Sequence, residues 1–118
     1  MSSSSYRSLD MSPNPPIDAV TVSGATVYDT GPIKAIDFET FTFQAEWTGT
    51  PTGTFAVLGS LDGVNFRPFG VTIPMNPAGA PGGFVLPMYG HGMKWLKMTY
   101  TNSASTGVLT VSALGKTR

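Results

Sequence analysis

The sequence predicts an all-β domain, an antiparallel β-sandwich or jelly roll of about eight short strands. Three observations support this fold class. Apolar residues recur at every second position in one segment after another, which is the period of a strand with one buried face. The connecting segments are rich in turn-forming residues, drawn from the 14 glycines and 10 prolines of the 118-residue chain. No segment has the apolar period of an amphipathic helix.

The alternation gives each strand its place in the chain. It is clearest where Phe41, Phe43, Ala45 and Trp47 alternate with polar residues, and this phase predicts that Trp47 lies in the core. The predicted strands lie, in chain order, near residues 19–23, 25–28, 41–47, 53–60, 71–73, 84–88, 96–100 and 109–113.

The connections between these strands carry two further expectations. The short segment 49–53, with sequence GTPTG, predicts that its flanking strands pair as a hairpin. The segment 76–83 is long, apolar and without charge. It is either a mobile surface loop or a loop pressed against a neighbouring molecule, because loops on a rigid scaffold often carry binding.

The amino-terminal segment 1–16 is predicted to be an extended arm, followed by the sandwich domain at 17–118. Its serine run and its prolines disfavour a helix or a central strand. One alternative is a disordered tail. The other is an arm that orders on a neighbouring subunit, with Tyr6, Leu9 and Met11 as its anchors.

Composition restricts the partners of the chain. Seven basic and seven acidic residues give a formal net charge of zero, and charged residues make up only 12% of the chain. A neutral, weakly charged surface provides little attraction for nucleic acid or for an anionic membrane. No apolar run reaches the roughly 20 residues that cross a bilayer, and the first residues lack the pattern of a signal peptide. We therefore expect no nucleic-acid and no membrane partner.

The residues that perform catalysis are scarce. There is no cysteine, and the one histidine, His91, lies between glycines in YGHG, where a loop role is favoured. Asp37 and Glu39 share a side if their segment is extended, but a solvated edge explains them as well. Asp62 and Asn65 suggest either a calcium ligand pair or a turn, and the turn is favoured because calcium sites need more oxygen ligands. We expect no enzymatic activity, no metal and no cofactor.

Two stretches resemble a class of small β-sandwich structural proteins of tailed bacteriophages. They are FTFQAEWTGTPTGTFAVLGSLDGVNFRPF at 41–69 and KWLKMTYTNSASTGVLTVSALGK at 94–116. The resemblance implies a virion protein made in the host cytoplasm. It would be a capsid decoration (cement) protein bound to the major capsid protein, or a tail or fibre-associated adhesion domain that binds a host glycan.

A second, narrower resemblance concerns the turn SLDGVNF at 60–66. It is similar to a turn of discoidin-like carbohydrate-binding jelly rolls, which usually have Trp where this chain has Phe66. A carbohydrate-binding module is therefore a further alternative.

A set of apolar side chains is predicted to contact partners. It comprises the arm anchors Tyr6, Leu9 and Met11, the residues Met75, Pro77, Phe84 and Met88 around the chargeless loop, and Trp95. Trp95 lies on the strand face opposite Leu96, where it is either a contact anchor or a residue at the periphery of the core. Because zero net charge does little to keep copies apart, the sequence predicts a homo-oligomer. A trimer is favoured by analogy with phage proteins that bind shells at three-fold positions.

Overall fold

The computed structural model describes residues 8–11, 14–74 and 82–117, and every helix or strand that it contains there is a β-strand. The ten strands are β1 (Ser8–Asp10), β2 (Ile17–Ser23), β3 (Thr26–Asp29), β4 (Ile33–Lys34), β5 (Thr40–Gly49), β6 (Thr52–Ser60), β7 (Arg67–Pro74), β8 (Gly82–Tyr89), β9 (Trp95–Ala104) and β10 (Thr106–Lys116). The predicted all-β sandwich is confirmed. The two strands missing from the sequence-based set, β1 and β4, have three and two residues and are too short for alternation to reveal.

The strands form two antiparallel five-stranded sheets. Sheet A has the order β1-β10-β5-β8, with β2 also paired to β10. Sheet B has the order β3-β9-β6-β7, with β4 also paired to β9. The edges of sheet A are therefore β1 and β2 on one side and β8 on the other.

The core lies between the sheets and consists of the inward side chains that the alternation predicts. From sheet A, Phe41, Phe43 and Trp47 are buried, and from sheet B, Phe55 and Tyr100 are buried. The ring centroids of Phe55 and Tyr100 lie 4.7 Å apart, and those of Trp47 and Phe55 lie 5.8 Å apart. The first contact joins neighbouring strands of sheet B, whereas the contact of Trp47 with Phe55 joins the two sheets and confirms the core position of Trp47.

The predicted hairpin at 49–53 is wrong, because β5 belongs to sheet A and β6 to sheet B. The pair β5–β6 instead runs alongside the pair β10–β9 as one antiparallel ribbon that bends from one sheet to the other. Gly49 lies opposite Gly107 and Thr52 opposite Ala104, and the register shifts by one residue between Thr52 and Gly53, where β6 begins. A turn-rich sequence marks a reversal of direction equally well at a hairpin and at a change of sheet, so the sequence could not distinguish them.

Strand β2 contains a β-bulge that corrects the phase of its side chains. Val20 pairs with Leu109 and Ile17 with Val111, so Asp18 and Ala19 together face one residue of β10. Ala19 has a φ of 51°, and its N–H donates to Thr110 Oγ1 at 3.0 Å. The extra residue brings Ile17, which would otherwise face solvent, onto the same buried side as Val22.

A buried polar group ties the two sheets together at the end opposite the loops described below. The Tyr100 hydroxyl donates to Asn102 Oδ1 at 2.6 Å. Asn102 Nδ2 donates to the carbonyls of Gly24 at 2.8 Å and Ser105 at 3.1 Å. These carbonyls belong to two of the turns that cross between the sheets, β2–β3 and β9–β10, so Asn102 fixes both of these crossings.

Strand β1 lies inside the segment that was predicted to be an arm. It pairs with β10 of its own chain, Leu9 opposite Gly115, and the Met11 N–H donates to the Ala113 carbonyl at 2.9 Å. Leu9 and Met11 are half-buried and pack against the core of the same chain. Residues 8–11 therefore belong to sheet A of their own chain, although they lie within the segment predicted to be an arm.

Candidate partner-binding surface

Three loops meet at one end of the sandwich, which we call the loop end: residues 35–39 between β4 and β5, residues 61–66 between β6 and β7, and residues 90–94 between β8 and β9. Side chains from all three line a shallow groove of about 320 Å³, among them Ile36, Leu61 and Met93. Ligand and partner contacts in sandwich folds are commonly made by such clustered loops.

The loop 61–66 is closed by hydrogen bonds among its own residues. The carboxylate oxygen Asp62 Oδ1 accepts from the Val64 and Asn65 N–H groups, both at 2.8 Å, and Oδ2 accepts from Asn65 Nδ2 at 2.8 Å. The buried Ser60 hydroxyl donates to Asp62 Oδ1 at 2.8 Å and accepts from the Gly63 N–H at 2.9 Å. Both carboxylate oxygens are thus used by the turn, as the turn reading of Asp62 requires.

The same hydrogen bonds set the charge state of the loop. Backbone N–H donors from Asn65 and Val64, followed by the side chains of Asn65 and Ser60, hold the pKa of Asp62 well below its ordinary range. Donors that point at a carboxylate favour its charged form. Asp62 is therefore a structural anion of the turn over the whole physiological pH range.

Trp95 packs against the loop 61–66. It lies on the opposite side of β9 from the buried Leu96, as the alternation predicted, and is half-buried. Gly63 has a φ of 78°, and a Cβ there would lie 3.0 Å from Trp95 Nε1. The indole therefore packs directly against the backbone of the turn, and a contact with a partner at Trp95 stays a prediction.

Lys97, two residues further on, is engaged within the chain. Its Nζ contacts Asp29 Oδ2 at 2.9 Å and lies 4.8 Å from the centre of the Phe66 ring. Lys94 and Lys97, on either side of Trp95, come nearest in the sequence to a cluster of basic and aromatic residues. Asp29 partly neutralises the positive charge of this cluster through Lys97.

His91 holds the third loop against the first. Its Nδ1 accepts from the Met93 N–H at 2.9 Å, and its Nε2 lies 2.7 Å from the Phe38 carbonyl. Since a carbonyl only accepts, these partners assign the proton of the neutral ring to Nε2. The ring also meets Phe41 edge-on, with centroids 6.4 Å apart. The predicted loop role of His91 is a specific one: it joins loops 90–94 and 35–39.

These fixed loops present apolar side chains to solvent. Ile36, Leu61 and Val64 are 50%, 63% and 79% exposed, and Tyr89, which ends β8 beside loop 90–94, is 75% exposed. Sequence reasoning did not select these four residues. Leu61 and Val64 flank the Asp62-Gly63 turn, where an apolar side chain has no core to enter. Their place beside a turn was the feature of the sequence that could have identified them as exposed.

The structure places the predicted contact residues of β8 on the inward side of the strand. Met88 is buried, 8% exposed. Phe84 is half-buried, and its ring lies 5.0 Å from Phe55 and 6.3 Å from Trp47. Both side chains pack in the core, so the outward residues of this strand are Val85, Pro87 and Tyr89. Tyr6, Met75 and Pro77 lie outside the described residues.

The described parts of the chain contain no group of three or more His, Asp or Glu side chains arranged to hold a metal ion. The carboxylates of Asp37 and Glu39 are exposed. No helix long and apolar enough to cross a membrane occurs in those same parts.

No protein-family model matches the sequence, and no curated protein matches it. Solved structures with the same fold include the PBSX exported protein XepA, with a TM-score of 0.65 and 8% identity over 98% of this chain. The enzymatically active domain of tailspike protein 4 of bacteriophage CBA120 has a TM-score of 0.60 and 11% identity over 94% of this chain. VP2 of the infectious bursal disease virus subviral particle has a TM-score of 0.54 and 11% identity over 94%.

This chain spans 38%, 17% and 32% of the lengths of those three proteins. It therefore corresponds to only a part of each. The likeness extends to the fold, which recurs in phage-related proteins and in a viral capsid protein.

Proposed function

We propose that the chain is a non-enzymatic structural domain of a bacteriophage virion, a capsid decoration protein that binds neighbouring subunits of the major capsid protein through its loop end. The observation that carries this proposal is the exposure of four apolar side chains at the loop end. Ile36 and Leu61 line the groove, Val64 lies on loop 61–66, and Tyr89 ends β8 beside Gly90. The recurrence of the fold in a viral capsid protein and in phage-related proteins supports the virion setting.

The energetics of the loop end favour a binding role. Each Å² of apolar surface that it buries against a partner contributes about 25 cal/mol. The loops are already held by Asp62 and His91, so binding loses little conformational entropy. The zero net charge of the chain places no electrostatic barrier between it and a shell of either sign.

Shells assembled without the protein and then mixed with purified variants provide the test. Leu61→Asp puts an added charge into the proposed interface. We expect the affinity for the shell, measured from occupancy over a protein concentration series, to fall at least roughly tenfold, the equivalent of about 1.4 kcal/mol. Val27→Asp is the matched control, because Val27 is 61% exposed but pairs with Thr101, far along β9 from the loop end. Equal losses for both variants, or none for Leu61→Asp, would refute the proposed surface.

One observation favours a second candidate, a tail or fibre-associated adhesion domain that binds a glycan. A groove of about 350 Å³ on the outer face of sheet A is lined by Asp10, Thr42, Gln44, Val85 and Ser112, with Ala113 and Leu114. Hydroxyl, amide and carboxylate groups beside aliphatic side chains suit the hydroxyl groups and flat faces of a sugar ring. Glycan-array binding that Gln44→Ala abolishes and Leu61→Asp leaves intact would favour this candidate over the decoration protein.

A further inference from the structure

Strand β8 leaves one row of backbone groups of sheet A without a neighbouring strand among the described residues. The Gly90 N–H donates to the Glu39 carbonyl at 3.0 Å, and the register pairs Phe41 with Met88 and Phe43 with Leu86. In an antiparallel ladder alternate residues turn both polar groups to the same neighbour. The even-numbered residues of β8 therefore bond to β5, and the N–H and C=O groups of Val85 and Tyr89 point away from the sheet.

Pro87 fits this assignment, since it falls on the outward-pointing set, where its missing N–H costs no bond to β5. The strand GGFVLPMY carries no charged residue, and Val85 and Tyr89 are 59% and 75% exposed. Edge strands of soluble proteins are usually blocked by charges, bulges or short length. Here Pro87 is the single blocking residue on the strand, and it removes one donor from the row.

The opposite edge of the same sheet is complementary to β8. Because the Met11 N–H donates to Ala113 of β10, the odd residues of β1 bond to β10 and Ser8 points its polar backbone groups outward. Across the sheet, Ser8 is level with Lys116, Thr40 and Tyr89 in turn. The outward groups of Ser8 and of Tyr89 therefore lie at the same height on opposite edges.

We propose that copies of the chain associate head to tail, with β8 of one copy pairing antiparallel with β1 of the next. β1 is antiparallel to β10, β10 to β5 and β5 to β8, so β1 and β8 run in opposite directions. Copies placed side by side in one orientation therefore bring these edges together as an antiparallel pair, with Ser8 opposite Tyr89 and Asp10 opposite Pro87. Sheet A then continues from one copy to the next.

The partner is a second copy of this chain, because β8 and β1 already match as an antiparallel pair. Their outward backbone groups lie at the same height, the two strands run in opposite directions, and no like charges face each other. A contact between two different edges closes into a ring when the rotation between copies allows it. Every loop end in such a ring faces the same way. This inference rests on the two edges of sheet A and not on the proposed function.

Two substitutions break the contact from opposite sides. Tyr89→Pro removes the outward N–H of β8, and Ser8→Pro removes the outward N–H of β1, while neither N–H is used inside the sheet. In light scattering over a micromolar concentration series, we expect the natural chain to be an oligomer and each variant to be a monomer. Tyr89→Phe, which keeps the N–H and the ring, should keep the oligomer.

Mixing the two variants distinguishes this contact from a symmetric one. Each variant retains the edge that the other lacks, so an equimolar mixture should form a dimer with one intact contact and no larger species. A two-fold pairing of β8 with β8 predicts instead that Ser8→Pro keeps the full natural mass. Pro87→Val adds the missing donor and should strengthen the natural oligomer, which tests the edge even if a proline variant fails to fold.

A monomeric natural chain over the whole series would overturn the proposal. So would an oligomer whose mass neither Ser8→Pro nor Tyr89→Pro changes when circular dichroism shows that both variants are folded. None of these measurements uses a shell, so their failure and the failure of the decoration function are separate results.

Discussion

Single polar residues hold the two ends of the sandwich, and their environments explain why hydrophobic alternation did not identify them. Asn102 is fully enclosed, 1% exposed, yet its neighbours in the sequence, TNSASTG, have the composition of an exposed turn. Ser60 is buried in the same way at the other end, 4% exposed. Each satisfies backbone groups of turns that cross or close the sheets, a role fixed by tertiary structure and not by local sequence.

Asn102→Ala should lower the free energy of unfolding by about 1–3 kcal/mol, because it removes the buried hydrogen bonds of Asn102 with the Tyr100 hydroxyl and with two turn carbonyls. Urea denaturation measures this difference. Thr101→Ala, one residue away and exposed on the outer face, is the control and should change stability by no more than about 0.5 kcal/mol. Equal stabilities of the two variants would contradict the structural role of Asn102.

Asp62 predicts a dependence of stability on acid. The folded state lowers the pKa of its carboxyl group below the ordinary 3.8, so its contribution is fully present above that value and is lost as the pH falls towards the folded-state pKa. Asp62→Asn removes this titration. Thermal midpoints measured from neutral to strongly acid pH should therefore fall less steeply for Asp62→Asn than for the natural chain.

Asp37→Asn provides the comparison, because Asp37 is an exposed carboxylate at the same end of the molecule. It should leave the acid dependence close to that of the natural chain. An unchanged profile for Asp62→Asn would mean that the hydrogen bonds of the turn do not stabilise the charged carboxylate.

At the scale of strands, the sequence predicted the inward residues of β5, β6, β9 and β10. In these long strands apolar and polar residues alternate strictly, so only one face of each strand can be buried. It did not predict the partners of these strands. The bend of the β5–β6 and β10–β9 ribbon depends on close backbone approach at Gly49 and Gly107, which leaves no trace in a hydrophobic pattern. The bulge at Asp18 and Ala19 escaped for the same reason, since it changes the phase within one strand.

Gly107→Ala tests the close packing at this bend. A Cβ at residue 107 would lie 2.7 Å from Pro51 Cδ and would also meet the Thr48 carbonyl, so β10 and β5 would have to separate. We expect a loss of about 1–3 kcal/mol in the free energy of unfolding, the usual cost of overpacking. Ser112→Ala, on the outer side of the same strand, should cost much less, and a neutral Gly107→Ala would contradict the bend.

For β8 the predicted strand is correct, but the contact residues predicted on it are not on its exposed face. The sequence placed β8 correctly, yet selected Phe84 and Met88 as contact residues because they are large and apolar. In the structure Phe84 packs against Phe55 and Trp47 and Met88 is buried in the core. The exposed set is the alternate one with Val85 and Tyr89. Which face of an edge strand is buried depends on the opposing sheet, and the sequence of one strand does not contain that information.

For the whole molecule, the absence of cysteine, the single histidine and the neutral charge led to the prediction of a binding or structural domain. They did not indicate which surface of that domain would bind a partner. The loop end is assembled from segments near residues 36, 61 and 91 that are distant in sequence and meet only after both sheets form. Its exposed side chains, the fixed loops and the open edge of sheet A support one account, in which the chain binds a shell through the loop end and its copies join edge to edge.

The most direct measurement of that account is a cryo-EM reconstruction of the phage particle that contains the chain, compared with a particle from which the chain has been deleted. The account predicts difference density on the capsid exterior, into which the sandwich fits with residues 35–39, 61–66 and 90–94 against the shell. Difference density confined to the tail or fibres, or a fit with the loop end in solvent, would contradict it. The absence of the chain from purified particles would contradict the virion role altogether.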